Sequence, residues 1–255
     1  MKIAMLDVHN NKYKGIFDVG GPIKKAYCEK HGYDFLVYKT DNSFIPEERQ
    51  DNWGRVQGIL YHLKEYDWIF YLDTDILIMN DTIKIEDYID ENYNLIAGPL
   101  PDEGHIMTSG MLIKNCRWSF EFFLDLYAQI EFIKNEYHSP PDKNHATGFP
   151  SKGGLYFEQS SFHYLYDHYE KYFSKIKLVP RAWFNSETTS YNHGDFLIHF
   201  PGQIHKARLM RSMLEHGHEK MLQKALPTNV AEEILDTQKK YHLIPKLKSR
   251  FIRPN

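Results

Sequence analysis

The stretch at residues 66–80, YDWIFYLDTDILIMN, constrains this chain more than any other: an apolar run ends in two aspartates one residue apart, and a second apolar run follows at once. WIFYL has no polar alternation, so it reads as a strand covered on both faces. An ionised carboxylate beside a core is costly unless it is paired, hydrogen-bonded or bound to a metal. The stretch therefore calls for a sheet with two covered faces and a site at its edge. Alternation in a strand puts Asp73 and Asp75 on one side and Thr74 on the other, so both carboxylates can converge on one cation. That arrangement suits a divalent metal bound to a diphosphate. A pair of turn or capping aspartates is the competing reading, and the buried strand ahead of the pair weighs against it.

The rest of the chain supplies the sheet. KIAMLDV, YDFLVYKT, WIFYL, NLIAG, MTSGMLIKN, KIKLVP and DFLIHF read as strands. Between them, GGPIKKAYCEKHG offers Pro22 as a helix start and Gly32 as its stop. NWGRVQGILYHLKEY places Val56, Ile59, Leu60 and Leu63 on one helical face; a long helix is expected from Trp118 to residue 137, and another across residues 155–173. Residues 138–154 are a loop by composition, and two further helices are expected after residue 206. Strands alternating with helices predict an α/β fold with a mostly parallel central sheet flanked by helices, with ligands at the carboxyl ends of the strands. At 255 residues a single domain is favoured.

Composition excludes several function classes. A net charge of −3 provides no basic footprint for a general nucleic-acid binder. Two cysteines, Cys28 and Cys116, make neither a disulfide framework nor a cysteine-rich zinc site, so a reducing compartment is expected. No run of about 18 apolar residues occurs, and the first residues do not read as a leader, which predicts a soluble, cytoplasmic protein. The end of the chain, PKLKSRFIRPN, mixes bases with apolar residues and allows at most weak peripheral contact with an anionic membrane.

Ordered motifs add a resemblance. Trp53-Gly54-Arg55 precedes the acidic strand; WIFYLDTDILIMN forms its core; TSGMLIKNCRWS follows; Glu158-Gln159 lies on a later helix; HFPGQIHK closes the series. In this order the chain resembles the metal-dependent retaining glycosyltransferases that include fungal Golgi galactosyl- and mannosyltransferases and plant xyloglucan xylosyltransferases. The resemblance implies a single GT-A domain over residues 1–255 with the acidic (DxD) motif at a strand end. Its nucleotide-sugar half would span about 1–115, its acceptor half and metal-site closure about 116–225, and a C-terminal helix and basic tail about 226–255.

For the site, the resemblance implies Mn²⁺, with Mg²⁺ as a substitute, held by Asp75 directly and by His199, with Asp73 reaching the ribose or the metal. Taken alone, His199 within FLIHFPG reads as a core histidine. Gly202 and Lys206, or the neighbouring His205, would clamp the diphosphate, with Arg55 as a second base. Glu158 and Gln159 would act at the reacting sugar, although alone they read as an exposed pair on an amphipathic helix. Ser109 and Gly110 would line the donor sugar, with Thr108 standing where an Asn is expected; Asp102 and His105 would face the same pocket. The implied reaction moves a sugar from a nucleoside-diphosphate donor, UDP favoured and GDP possible, to a glycan hydroxyl with retention of configuration. Two other classes stay open: a metal-dependent phosphatase or nucleotidyltransferase using the same carboxylates, and a non-catalytic nucleotide-sugar-binding module. The phosphatase pattern asks for a Thr where Leu77 stands.

Overall fold

A computed structural model describes residues 1–40, 49–99, 106–133, 157–186, 191–192 and 194–200. The expected C-terminal helices, and with them Gly202, His205 and Lys206, lie outside the described residues, as do Asp102 and His105.

The main sheet has the order β2 (Asp34–Lys39), β1 (Ile3–His9), β3 (Trp68–Leu72), β6 (Ile106–Lys114), β5 (Leu95–Pro99), β7 (Ile176–Leu178). All neighbours run parallel except β6, which is antiparallel to both β3 and β5. The mostly parallel α/β sheet read from the sequence is what the chain forms. WIFYL shows why it lacks alternation. Trp68, Phe70 and Leu72 join one core with Ile3 and Met5 of β1 and Ile16, Val19 and Ile23 of α1 (Lys14–His31). Ile69 and Tyr71 join the opposite core with Val56 and Ile59 of α2 (Gly54–His62) and Phe122 and Phe123 of α3 (Arg117–Ala128). Every residue of β3 is buried, as a strand covered on both faces requires.

Several expected boundaries move. Helix α1 begins at Lys14, so Pro22 lies inside it rather than at its start. An interior proline removes one helical hydrogen bond, and here the burial of Ile16, Val19 and Gly20 ahead of it holds the turns together. Gly32 is the stop: its φ of 75° is the left-handed conformation a glycine takes without steric cost. α3 ends at Ala128, where Gln129 turns extended with ψ 90°. The helix expected across 155–173 is two, α4 (Glu158–His168) and α5 (Glu170–Phe173), separated by extended Tyr169. That break turns Tyr172 inward, where its ring packs edge-on to Phe122 at 5.0 Å.

β3 keeps the bounds read from the sequence. It ends at Leu72, where the WIFYL reading puts its end, so strand alternation does not extend through the aspartates: Asp73–Asp75 form a turn closed by Ile76 N–H donating to the Asp73 carbonyl at 3.0 Å. The chain then enters β4 (Ile76–Ile78), which pairs antiparallel with β8 (Leu197–His199) after the short α6 (Arg181–Phe184). Among the described residues no helix is long and apolar enough to cross a membrane. Burial pushes the Cys28 thiol up to about 12, which makes it an inert core group.

Candidate active site

The carboxylates converge by a turn, not by strand alternation. Thr74 Oγ1 is held under the turn by Asp7 Oδ1 at 2.8 Å, leaving Asp73 and Asp75 on the other side. Pairing of β4 with β8 sets Ile76 opposite His199, and Phe200 N–H donates to the Asp75 carbonyl at 3.1 Å. His199 is thereby carried to Asp75, its Nε2 3.5 Å from Asp75 Oδ1. One ligand atom from each of Asp73, Asp75 and His199 lies within 4.8 Å of the others. His199 Nδ1 lies 2.7 Å from Asn185 Oδ1, a contact that orients the ring with Nε2 toward Asp75.

Asp75 Oδ1 is buried and has no hydrogen-bond partner among the described residues. A buried carboxylate oxygen without a donor is costly, and a cation removes that cost. Two carboxylates and one imidazole form a mixed oxygen and nitrogen donor set of the kind that divalent metals take. The residues present therefore fit a divalent metal.

Beside this group sits Arg55, the second residue of α2. Its Nη2 is 3.2 Å from Asp73 Oδ1, and its Nη1 is 2.9 Å from Glu158 Oε1. Nη1 also donates to the Thr108 hydroxyl at 2.9 Å and carbonyl at 3.2 Å. Asn52 donates to the other Glu158 oxygen, and Tyr71 Oη to Asp73. Glu158 is 2% exposed at the start of α4, so the exposed-pair reading does not hold for it. Gln159 is half-buried, its Oε1 3.1 Å from the Thr108 hydroxyl.

The electrostatics follow from this packing. Burial raises the Asp73 pKa and neighbouring Asp75 adds to it, more than Arg55, Tyr71 and His199 offset. Burial likewise raises Glu158, with Asp73 adding and Arg55 opposing. Burial works against the Arg55 charge, but Asp73 and Glu158 outweigh it and hold the guanidinium firmly protonated. The cluster carries more negative charge than its one arginine neutralises, which is the condition for taking up a cation.

β6 reaches the site through an irregularity. Its pairing with β5 jumps from Ala97↔Met111 to Gly98↔Met107, so residues 108–110 bulge from the ladder. Thr108 then meets Arg55. Ser109 accepts from Asp73 N–H at 2.8 Å through its carbonyl, and its buried hydroxyl has no partner among the described residues. Gly110 lies against α6: an added Cβ would stand 2.9 Å from the Phe184 carbonyl oxygen, so packing already requires glycine there. A cavity of about 120 Å³ opens between the end of β1 and the turn, lined by His9, Asn10, Tyr13, Arg55, Asp73 and Asp75 among others.

Sequence reasoning missed Asn52, Tyr71, Thr108 as a hydrogen-bonding centre, and Asn185. Their local patterns are ordinary. Asp7 and Lys24, which underlie the turn, did carry a signal: an aspartate inside the apolar strand IAMLDV needs a buried partner.

With this geometry in view, comparison with known proteins gives three findings. A family model described as a protein of unknown function, DUF273, matches residues 24–147. An alpha-1,2-galactosyltransferase of Schizosaccharomyces pombe is 23% identical over 216 residues, covering 70% of this chain and 54% of that protein. A xyloglucan 6-xylosyltransferase of Arabidopsis thaliana is 29% identical over 115 residues, covering 41% of this chain and 22% of that protein. The chain thus spans about half the length of the first of these relatives and about a fifth of the second. Among solved structures, a glycosyltransferase involved in glycosylation of the major capsid of PBCV-1 superposes with a TM-score of 0.62 at 16% identity, covering 84% of this chain and all of that one. The resemblance read from the motifs is borne out, and the fold is that of the GT-A glycosyltransferases.

Proposed function

We propose that this chain is a metal-dependent glycosyltransferase that moves a sugar from a nucleoside-diphosphate donor, UDP favoured over GDP, to a glycan hydroxyl with retention of anomeric configuration. The observation that carries this reading is the convergence of Asp73, Asp75 and His199 at the carboxyl end of a central strand, with Asp75 Oδ1 buried and lacking a donor among the described residues. The names and fold of the similar proteins support it.

Asp75 and His199 would hold the ion, with Asp73 between it and Arg55. A divalent ion held there, Mn²⁺ or Mg²⁺, would supply positive charge against the departing diphosphate. Arg55 is tied to Asp73 and Glu158, so its role is to orient these carboxylates as well as to add positive charge near the phosphates. Gly202 and Lys206 would complete the phosphate clamp. The bond from the anomeric carbon to the diphosphate oxygen breaks, the acceptor oxygen bonds the same face of that carbon, and the proton of the acceptor hydroxyl passes to the departing diphosphate oxygen.

Glu158 accepts from Asn52 and pairs with Arg55, which makes it a poor nucleophile and a good fixed charge beside an oxocarbenium-like centre. Gln159 would contact the sugar beside it, and Ser109 would offer its unpartnered hydroxyl to the donor. The same logic weakens the phosphatase reading. Asp73 would be the nucleophile there, and both its oxygens are engaged by Arg55, one of them also by Tyr71.

A thermal-shift panel with UDP, GDP, CDP and ADP, each with Mn²⁺ or with chelator, tests the reading, because a ligand that binds only the folded state raises apparent stability. A Mn²⁺-dependent shift, largest with UDP, is expected. No shift with any nucleotide would end the transferase reading.

A further inference from the structure

The turn that carries the candidate metal ligands is held from below by a buried ion pair that touches neither the ligand carboxylates nor the cavity. Asp7 continues the Ile3 and Met5 row of β1 and so faces α1. Lys24 of α1 reaches it: Nζ lies 2.6 Å from Asp7 Oδ2 and 2.7 Å from the Asp73 carbonyl oxygen. Both side chains are 0% exposed. The other Asp7 oxygen accepts from Thr74 Oγ1 at 2.8 Å and lies 3.0 Å from His9 Nδ1. Gly20, one helical turn before Lys24 on the same face, lets α1 approach, since an added Cβ would stand 3.3 Å from the Thr74 carbonyl oxygen.

A buried pair of this kind is weak evidence for stability, because desolvating both charges offsets their attraction, and apolar replacements of similar volume often fold as well. What an apolar pair could not do is fix peptide orientation. Lys24 and Ile76 N–H both end on the Asp73 carbonyl, and Asp7 fixes the Thr74 hydroxyl. Together they set the side of the turn from which Asp73 and Asp75 project.

We propose that Asp7 and Lys24 are positioning residues for the metal site, locking the Asp73-Thr74-Asp75 turn so that its two carboxylates converge with His199. The proposal rests on the metal reading of that site. Groups that orient metal ligands typically change metal affinity by about 10–100-fold when removed.

The test is Mn²⁺ affinity without nucleotide, read from the electron paramagnetic resonance signal of free Mn²⁺, for wild type and for the double variant Asp7→Leu/Lys24→Met. The expected result is a folded double variant whose affinity drops by about 10-fold or more. Thr74 keeps the Val8 carbonyl at 3.3 Å as an alternative acceptor, so its hydroxyl is not stranded. A folded double variant that binds Mn²⁺ as wild type does would overturn the positioning role while leaving the metal site standing. Wild type that binds no Mn²⁺ would overturn the metal reading and this proposal with it. If the double variant does not fold, Thr74→Val against Thr74→Ser decides: affinity lost with Val and kept with Ser supports the proposal, and affinity kept by both overturns it.

Discussion

One turn has two sides in opposite electrostatic states. Below it, Asp7 is fully buried, but Lys24, His9 and Thr74 outweigh the penalty of burial and hold its carboxyl below the ordinary range. Above it, burial and the repulsion of Asp75 push Asp73 up, and Asp75 keeps a buried oxygen without a partner among the described residues. The same residue type, a few ångströms apart, is satisfied on one side and frustrated on the other. A satisfied polar network fixes geometry; a frustrated one stores affinity for whatever ligand completes it.

The largest way to break this contrast is Lys24→Met alone. It leaves Asp7 as an uncompensated buried charge, and a loss of about 3–5 kcal/mol is expected in urea denaturation of the metal-free protein. A loss below about 1 kcal/mol would mean that the lower side is not the satisfied one. Asp75→Ala acts on the upper side. Nucleotide binding in the presence of Mn²⁺ should weaken by about 100-fold or more, roughly 2.7 kcal/mol, in calorimetric titration, while the metal-free protein keeps its stability because a repelling charge has gone. Unchanged binding would remove Asp75 from the metal site.

The finest probe is pH. Glu158, like Asp73, has a folded pKa above its unfolded value, so its contribution to stability is present below the unfolded value of about 4.3 and is lost as pH rises through the folded one. Asp7 has the opposite sign: its contribution is present above about 3.9 and is lost as pH falls through its lower folded value. Wild type without metal should therefore gain stability on mild acidification, and Glu158→Gln should show a smaller gain when denaturation midpoints are compared across pH 4–7. Equal slopes for the two proteins would place Glu158 outside the buried charge cluster.

Much of this was legible locally. WIFYL announced a strand buried on both faces because its lack of alternation is itself the signature, and Gly32 announced a helix stop because few residues tolerate a positive φ. The aspartates announced a site through the cost of placing charge beside that strand. Less legible were the helix ends. Pro22 sits where local propensity would start a helix, and packing carried α1 two turns earlier; the unbroken apolar pattern after Trp118 hid the extended backbone at Gln129.

What the sequence alone determined was a two-sided sheet and a pair of carboxylates at its edge, because strand period and the desolvation of charge act over a few neighbouring residues. The tertiary structure decided which groups those carboxylates meet. β4 pairing with β8 brought His199 to Asp75, and the end of α6 set Asn185 against its ring; α2 crossing the sheet turned Arg55 toward Asp73 and Glu158; and α1, closing on the turn through Gly20, put Lys24 beneath it. Those partners are distant along the chain, and their meeting depends on which strands pair and which faces pack, a choice that no local period encodes.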